Sequence, residues 1–428
     1  MLTRWLYTLA FYVAVPFLLL RLRKRAKKNP AYRQRVGERF ALYPPGKPLQ
    51  GSLWFHTVSV GEFLAAKPLI DRILQSYPDS PCLITTMTPT GSDRVRGAYA
   101  DQIKAGRVHH VYLPYDLPDA IGRFLKRFNP KVLVIMETEL WPNTLHFTHR
   151  RGVPIVVANA RLSEKSAEGY RKILPLFRPM MREVSLIAAQ SDVDGERFVE
   201  LGLPPRHLQV TGTVKFDMDI KPETKAQALA LREQWGGQRK VLIAASTHAG
   251  EDEQVLEAYL YLRSKVPGAL LVIVPRHPER FNDVAKLVEA MGLTLSRLST
   301  QDPVGAETDV ILGDTMGDLL KLLGASDVAF IGGSLVPVGG HNMLEALAMG
   351  APALTGPHVF NFQVVAQMLT ELDVLKTVTT PLGLGQAVEM LFMDESARYA
   401  LSKRGKCVVD ENRGAMDRLF GLICLQIS

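Results

Sequence analysis

The stretch "FHTVSVGEFLAAKPLI" (55–70) carries a single acid, Glu62, where an apolar strand-like run passes through Val60-Gly61 into a helical pattern. A carboxylate in the first turn of a helix is held ionised by the helix N-terminus. Desolvation among Val58, Val60, Phe63 and Leu64 opposes this and lifts the carboxyl toward general-base range. A second acidic feature, "VIMETELWPN" (134–143), ends another apolar run with Glu137 and Glu139, two residues apart. Strand alternation would aim both at the same side. "VTGTVKFDMD" (210–219) ends a third run with Lys215, a cation suited to offsetting a phosphate or a developing negative charge. Its Asp217-Met218-Asp219 resembles the D-x-D of metal-dependent sugar transferases, but short acidic triplets are common by chance, so no metal site is assigned.

Phosphate-binding features accumulate further along. "AASTHAGED" (244–252) is a strand-to-helix turn of hydroxyls and main-chain N–H groups, a setting that binds anions. "VPRHPERF" (274–281) places Arg276 and His277 at the next strand end, and an arginine can grip phosphate with two parallel bonds. In "FIGGSLVPVGGHNMLEALAMGAP" (330–352), Gly332-Gly333 and Gly339-Gly340 allow close backbone approach. His341-Asn342 then open a helix with Glu345 in its first turns, a pattern that fits a nucleotide. No G-x-G-x-x-G follows the first strand, which weighs against a dinucleotide-dependent oxidoreductase.

The elements that must position these residues are legible in the alternation of the chain. Seven short Val/Ile/Leu-rich runs precede Gly212, and five more, "KVLIAAST", "ALLVIVPR", "DVILGD", "DVAFIGG" and "APALTG", follow Lys240. Helical patterns separate most of them, as in parallel sheets covered on both faces. The expected class is α/β, with a polar stretch at 219–240 between two doubly wound domains. Ligands of such sheets bind outside the carboxyl ends of the strands. The domains are expected at 41–218 and 219–428, after an N-terminal segment, 1–40, of apolar anchor and basic collar.

That segment contains the uncharged run "WLYTLAFYVAVPFLLL" (5–20). As a helix it would reach about 24 Å, short of a hydrocarbon core of about 30 Å, and Pro16 would kink it. Spanning a thinned bilayer and lying partly embedded are both open, as is a buried terminal helix with a solvated basic face. Between Arg21 and Arg39 stand nine Lys or Arg residues and one acid, Glu38, a local charge of +8 that equals the net charge of the whole chain. The basicity therefore belongs to one surface, which argues against nucleic acid as a partner and for anionic lipid on the cytoplasmic side. The charge follows the apolar run, the reverse of a cleaved signal peptide. Three widely spaced cysteines, Cys82, Cys407 and Cys424, fit neither a disulfide framework nor a zinc cluster and suit a reducing compartment.

Ordered along nearly the whole chain, "YRQRVGERF", "HTVSVGE", "TTMTPTGSDRV", "YLPYDLPDA", "METELWPN", "NARLSEKSAEGY", "GTVKFD", "STHAGED", "PRHPERF", "GDTMGDL" and "GGSLVPVGGHNMLEA" resemble the Kdo transferases. That family moves 3-deoxy-D-manno-octulosonic acid (Kdo) from CMP-Kdo to the lipid A precursor on the cytoplasmic face of the bacterial inner membrane. The resemblance implies the GT-B fold, two facing Rossmann-like domains, here with a short membrane anchor helix. It implies an inverting transfer with Glu62 as proton acceptor, and Glu137 and Lys215 stabilising the transition state. CMP contacts carry over to Pro275 and Arg276, to Met316, Gly317 and Asp318, and to Asn342, Met343, Leu344 and Glu345. Some relatives have Glu where this chain has Asp318. No metal or other cofactor is implied; the partners are the CMP-Kdo donor, the lipid A precursor and the membrane lipid surface. Two other readings remain open on the residues alone: a GT-B enzyme using a UDP-sugar, transferase or epimerase, and a membrane-tethered nucleotide sensor without turnover.

Overall fold

The computed structural model describes residues 2–218 and 220–427. The chain divides into two compact units, Met1–Asp217 with Arg413–Ser428, and Met218–Asn412. In the first, seven parallel strands, β1 (Ser52–His56), β2 (Cys82–Thr86), β3 (Val108–Tyr112), β4 (Pro130–Met136), β5 (Ile155–Ala160), β6 (Leu186–Ala189) and β7 (Leu208–Val210), pair in the order β3-β2-β1-β4-β5-β6-β7. All seven coincide with the expected runs. β1 and β5 are buried along their whole length, which is why they read as unbroken apolar stretches rather than alternating ones. The order reverses between β1 and β4, where Phe55 lies level with Val134 and His56 with Ile135. That switch point opens the crevice in which doubly wound sheets bind ligands.

The second unit repeats the plan with β8 (Val241–Thr247), β9 (Leu270–Pro275), β10 (Leu295–Arg297), β11 (Val310–Leu312), β12 (Val328–Ile331), β13 (Ala353–Thr355) and β14 (Leu375–Thr377), ordered β10-β11-β9-β8-β12-β13-β14. Its switch point falls between β8 and β12. Five of these strands coincide with the expected runs, and β10 and β14 do not. Both are three-residue edge strands with an exposed or half-buried face, too short and too polar to read as apolar runs.

Two boundaries differ from expectation. The helix Ala415–Ile427 belongs to the first unit, not the second: Ala415, Leu419 and Ile423 are fully buried in one core with Phe55, Val134 and Ala158. Asp217 ties it down by accepting hydrogen bonds from the main-chain N–H groups of Gly414 at 2.6 Å and Met416 at 2.5 Å. Arg418 adds a bond to the Thr211 carbonyl at 2.8 Å.

The segment 1–40 is likewise part of the first unit. One helix runs from Leu2 to Lys28, continuous through Pro16 and about 40 Å long at 1.5 Å per residue, because the basic segment is helical as well. Phe11, Val15, Leu18 and Leu22 pack on the core of the unit. A buried polar network fastens the same face. Asp116 accepts from the main-chain N–H groups of Asn143 at 2.8 Å and Thr144 at 2.6 Å, and Asn143 Nδ2 donates to the Thr8 hydroxyl at 3.0 Å. Tyr12 donates to Asp119 at 2.6 Å. Asp116 of "YLPYDLPDA" and Asn143 of "METELWPN" thus hold the helix. On its opposite side Leu2, Trp5, Leu6, Leu9, Val13, Phe17 and Leu20 recur at helical spacing and are each at least 58% exposed.

Candidate active site

Ser59 starts the helix Val60–Ser76 as its N-cap, accepting the N–H of Glu62 at 3.3 Å. Glu62 answers at the third helical position: its carboxylate accepts the Ser59 hydroxyl at 3.0 Å and the main-chain N–H of Val58 at 2.7 Å. This is a variant of the capping box in which Glu62 reaches the N–H of Val58 rather than that of the N-cap Ser59, and its S-x-x-E signal stands in "SVGE". It fixes the orientation of a carboxylate that is only 8% exposed. Burial pushes the Glu62 carboxyl up to about 7, with the nearby charges of Glu137 and Glu139 adding to the rise and the bonds from Val58 and Ser59 opposing it. A carboxylate balanced near neutral pH can take a proton and release it again.

Glu62 opens on a cavity of about 330 Å³ that Glu137, Glu139 and Arg161 also line, with Ser163 and Ser166 at its edge. Glu137 and Glu139 reach the same side as expected, but not through strand alternation: β4 ends at Met136, and both lie in the turn beyond it. Glu137 has φ of +60°, a left-handed backbone that costs a residue with a side chain on the order of 1–2 kcal/mol. Its N–H bonds the Ala158 carbonyl at 2.9 Å, which anchors that turn to β5. Burial raises the Glu139 carboxyl, as does the charge of Glu137.

Lys215 sits in the short turn Val214–Phe216 beyond β7. Burial lowers its ammonium, Arg161 lowers it further, and Glu137 works the other way. Glu62 and Glu137 thus line one cavity at the β1/β4 switch point, and the charge of Glu137 acts on both Glu62 and Lys215. Arg161 and Asn159 escaped the sequence reading. Arg161 stands inside "NARLSEKSAEGY" with no pattern to mark it; Asn159 is a polar residue at the carboxyl end of a buried strand, and that is the available signal.

In the second unit the strand ends of β11, β9, β8 and β12 are neighbours. Pro275 is buried at the end of β9. Arg276, next to it, is exposed, and its N–H is held by the Thr247 carbonyl at 3.0 Å. Asn342 Oδ1 accepts the Leu344 N–H at 3.2 Å while its Nδ2 donates to Glu345 at 3.1 Å. Burial raises the Glu345 carboxyl; the Asn342 bond and the positive charge of Arg276 oppose this, which places Arg276 and Glu345 in one electrostatic environment. Met343 and Leu344 have fully buried side chains, so what they present to a ligand is main chain. Met316 is 68% exposed, Gly317 takes φ of +92°, and Asp318 is held by Lys321 at 2.9 Å. Burial draws the Asp318 carboxyl upward, but its bonds to Thr315 and Lys321 outweigh that and leave it lowered.

The glycine cluster departs from expectation. Its turn forms a nest of N–H groups suited to an anion, but the anion is the chain's own. Glu251, fully buried, accepts from Gly333 at 2.6 Å, Ser334 at 3.0 Å and Leu335 at 2.9 Å. Gly332-Gly333 therefore serve an internal carboxylate rather than a phosphate. Gly333 also makes room for two rings, because a Cβ there would lie 3.1 Å from His341 and 3.3 Å from His248. Those rings meet through their Nε2 atoms at 2.8 Å, so one donates and the other accepts. Burial and the neighbouring cations push His341 down to about 4, and burial also lowers His248.

Asp217 of the acidic triplet is committed to the C-terminal helix, and Asp219 lies outside the described residues. Among the described residues no group of at least three His, Cys, Asp or Glu side chains is placed to hold a metal ion.

Comparison with known proteins adds to this geometry. Residues 34–218 match the family described as 3-Deoxy-D-manno-octulosonic-acid transferase (kdotransferase). A 3-deoxy-D-manno-octulosonic acid transferase of Haemophilus influenzae is 44% identical over 423 residues, 98% of each chain. Another of that name from Bordetella pertussis is 33% identical over 432 residues, 97% of each chain. Among solved structures, a UDP-GlcNAc 2-epimerase from Neisseria meningitidis bound to UDP-GlcNAc superposes with a TM-score of 0.53 over 84% of this chain and 99% of that one. At 15% identity that likeness is one of fold.

Proposed function

The chain belongs to the 3-deoxy-D-manno-octulosonic acid (Kdo) transferase family, and from that premise we propose that it moves Kdo from CMP-Kdo to the lipid A precursor by a single inverting displacement with Glu62 as the base. It is a glycosyltransferase. The observation that carries the assignment is the buried, capping-box-held Glu62, raised to about 7 on a cavity it shares with Glu137.

The acceptor hydroxyl attacks the anomeric carbon of Kdo and its proton passes to Glu62. The bond from that carbon to the phosphate oxygen breaks, and CMP departs with the electron pair. Glu137 and Lys215 stabilise the transition state, Glu137 by holding Lys215 charged against the desolvation that lowers it. Arg276 and the main chain of Met343 and Leu344 hold CMP, with Asn342 and Glu345 as polar contacts. The Met316-Gly317-Asp318 turn completes that binding region. The neutral His248–His341 pair stands beside Arg276, whose charge helps keep His341 neutral.

The helix Leu2–Lys28 attaches the enzyme to the cytoplasmic face of the inner membrane. It is long and apolar enough to cross a bilayer, with a mean hydropathy of 1.7 over its apolar window. Its docked face and its bond to Asn143 favour attachment along the surface, with the opposite apolar face in the lipid. Mass spectrometry of the lipid after incubation with CMP-Kdo tests the reading. The expected product is the lipid A precursor enlarged by Kdo; an unchanged lipid, or turnover of a UDP-sugar in its place, overturns it.

A further inference from the structure

Where the exposed apolar stripe of the N-terminal helix ends, a groove of about 480 Å³ begins. Leu19 and Leu22 of the helix form one wall, and Tyr32 and Val36 from the short turns after it form the other. Its rim carries Arg23, Lys27 and Arg33, all three exposed. None of them makes an ion pair among the described residues. The nearest acid in the chain, Glu38, is already taken, by Arg35 at 2.7 Å and by the Tyr112 N–H at 2.9 Å. The groove thus combines an apolar floor with unneutralised positive charge. It complements a ligand that is anionic at one end and hydrocarbon at the other.

The position of the groove names the source of that ligand. Arg23 follows Leu20, the last residue of the exposed stripe, by three residues, about 4.5 Å along the helix. With the helix lying along the membrane surface, the rim borders the layer of lipid phosphates. A volume of 480 Å³ is in the range of roughly 300–1,000 Å³ that takes a small ligand. We propose that the groove binds one anionic phospholipid of the bilayer, its phosphate held by Arg23, Lys27 and Arg33 and the start of an acyl chain lying on Leu19, Leu22 and Val36. This rests on the membrane attachment proposed above and is narrower than it. Diffuse attraction would draw on the exposed cations of the basic cluster alike, whereas a discrete site draws on the three that line the groove.

The test uses the full chain reconstituted in vesicles of phosphatidylcholine with a minor share of phosphatidylglycerol, then extracted in mild detergent. Lipid retained per chain is counted by quantitative mass spectrometry. The wild type is expected to retain an equimolar amount of phosphatidylglycerol. R23Q/K27Q is expected to lose at least ~10-fold of it, and R21Q/K24Q, which removes the same charge outside the groove, less than ~2-fold. Leu19→Trp, which fills the apolar wall and keeps every charge, is expected to match the first pair. Equal losses from the two pairs, retention of phosphatidylcholine in place of phosphatidylglycerol, or displacement of the retained lipid by an equimolar amount of the phosphorylated acceptor would each overturn the proposal. Failure of membrane attachment itself reads differently: the wild-type chain would not be recovered with the vesicles at all.

Discussion

Asn159 Oδ1 accepts the main-chain N–H of Val214 at 3.2 Å, from a fully buried side chain on a backbone with φ of +52°. The residue next to that N–H is Lys215, so the turn presenting the ammonium beyond β7 is pinned by an amide on β5, with β6 between them in the sheet. Asn is among the few residues with a side chain that tolerate left-handed backbone, and it can supply the acceptor as well. Asn159→Ala leaves the Val214 N–H unsatisfied and keeps the strain. It is expected to cost about 2–4 kcal/mol in chemical denaturation and to lower kcat more than it raises KM. Asn159→Gly relieves the strain while losing the same bond, so it should be the more stable of the two. If the glycine variant proves less stable than the alanine one, strain at this position is not what the structure stores.

Glu62→Gln separates chemistry from binding. The amide can still accept from Val58, so the turn survives, but it cannot take a proton. Transfer is expected to fall by about 10²–10⁴-fold, with CMP affinity by calorimetry unchanged. Stability should move the other way at neutral pH. The folded state raises the Glu62 carboxyl from its ordinary 4.5 to about 7, so between those values it binds more protons than the unfolded chain and stability falls as pH rises. The variant lacks that fall. It is expected to be more stable than wild type by about 1–3 kcal/mol above pH 7 and no more stable below pH 4.5. Unchanged transfer would remove Glu62 from the mechanism.

The pH–rate profile should carry the same group. With Glu62 as base, kcat/KM is expected to rise through an apparent pKa near 7. Glu137 raises Glu62 and supports the charge of Lys215, so Glu137→Gln should move the acid limb and the alkaline limb to lower pH together. A variant in which only one limb moves would show that Glu137 does not act on both residues.

Glu251 is the counterpart in the second unit. Removing its carboxylate in Glu251→Ala leaves four main-chain donors, those of His248, Gly333, Ser334 and Leu335, and a buried hole, and is expected to destabilise the unit by about 3–5 kcal/mol in thermal or chemical unfolding. Glu251→Gln keeps one acceptor oxygen and should fall between the two. CMP affinity should drop with the loosening of the turn that seats His341, and return as far as the Gln variant restores it. Full stability of the alanine variant would mean that water or a bound anion satisfies the nest, and the phosphate role expected from the glycines would be reopened.

How much of this was legible differs by residue. Most of β1 to β9 and β11 to β13 are buried and announce themselves as apolar runs, and β7, though exposed at the sheet edge, is marked by the Gly212 turn after it, while β10 and β14 depend on pairing with a neighbour and have no run of their own. Glu62, Glu137 and Lys215 stood out because charge at the end of an apolar strand is costly and needs a reason. Their convergence was not in the spacing: 75 residues separate Glu62 from Glu137, and only the strand order makes β1 and β4 neighbours. Gly332-Gly333 were legible as an anion nest, but the identity of the anion was not, since Glu251 lies 81 residues before Gly332 on another strand end. The return of Ala415–Ile427 to the first unit was invisible for the same reason, as an amphipathic helix does not declare which sheet it covers.

The N-terminal helix is docked on one face and exposed on the other, and only the exposed face can be altered without touching the fold. Deleting residues 1–20 would strip Phe11, Val15 and Leu18 from the core and break the Thr8–Asn143 bond, so loss of membrane binding could not be told from loss of fold. Substituting the exposed face leaves the docked face alone. Leu6, Leu9, Val13 and Phe17 are each 58–69% exposed, and an apolar side chain of that size gains on the order of 1–2 kcal/mol on leaving water. Leu6→Ser, Leu9→Ser, Val13→Ser and Phe17→Ser together should therefore weaken membrane recovery by more than ~100-fold, while CMP affinity and unfolding midpoint stay near wild type. The residual binding should vanish on raising salt, because what remains is the attraction of the basic segment for anionic lipid, which screening removes. Undiminished recovery of this variant at high salt would show that the apolar stripe does not face the bilayer.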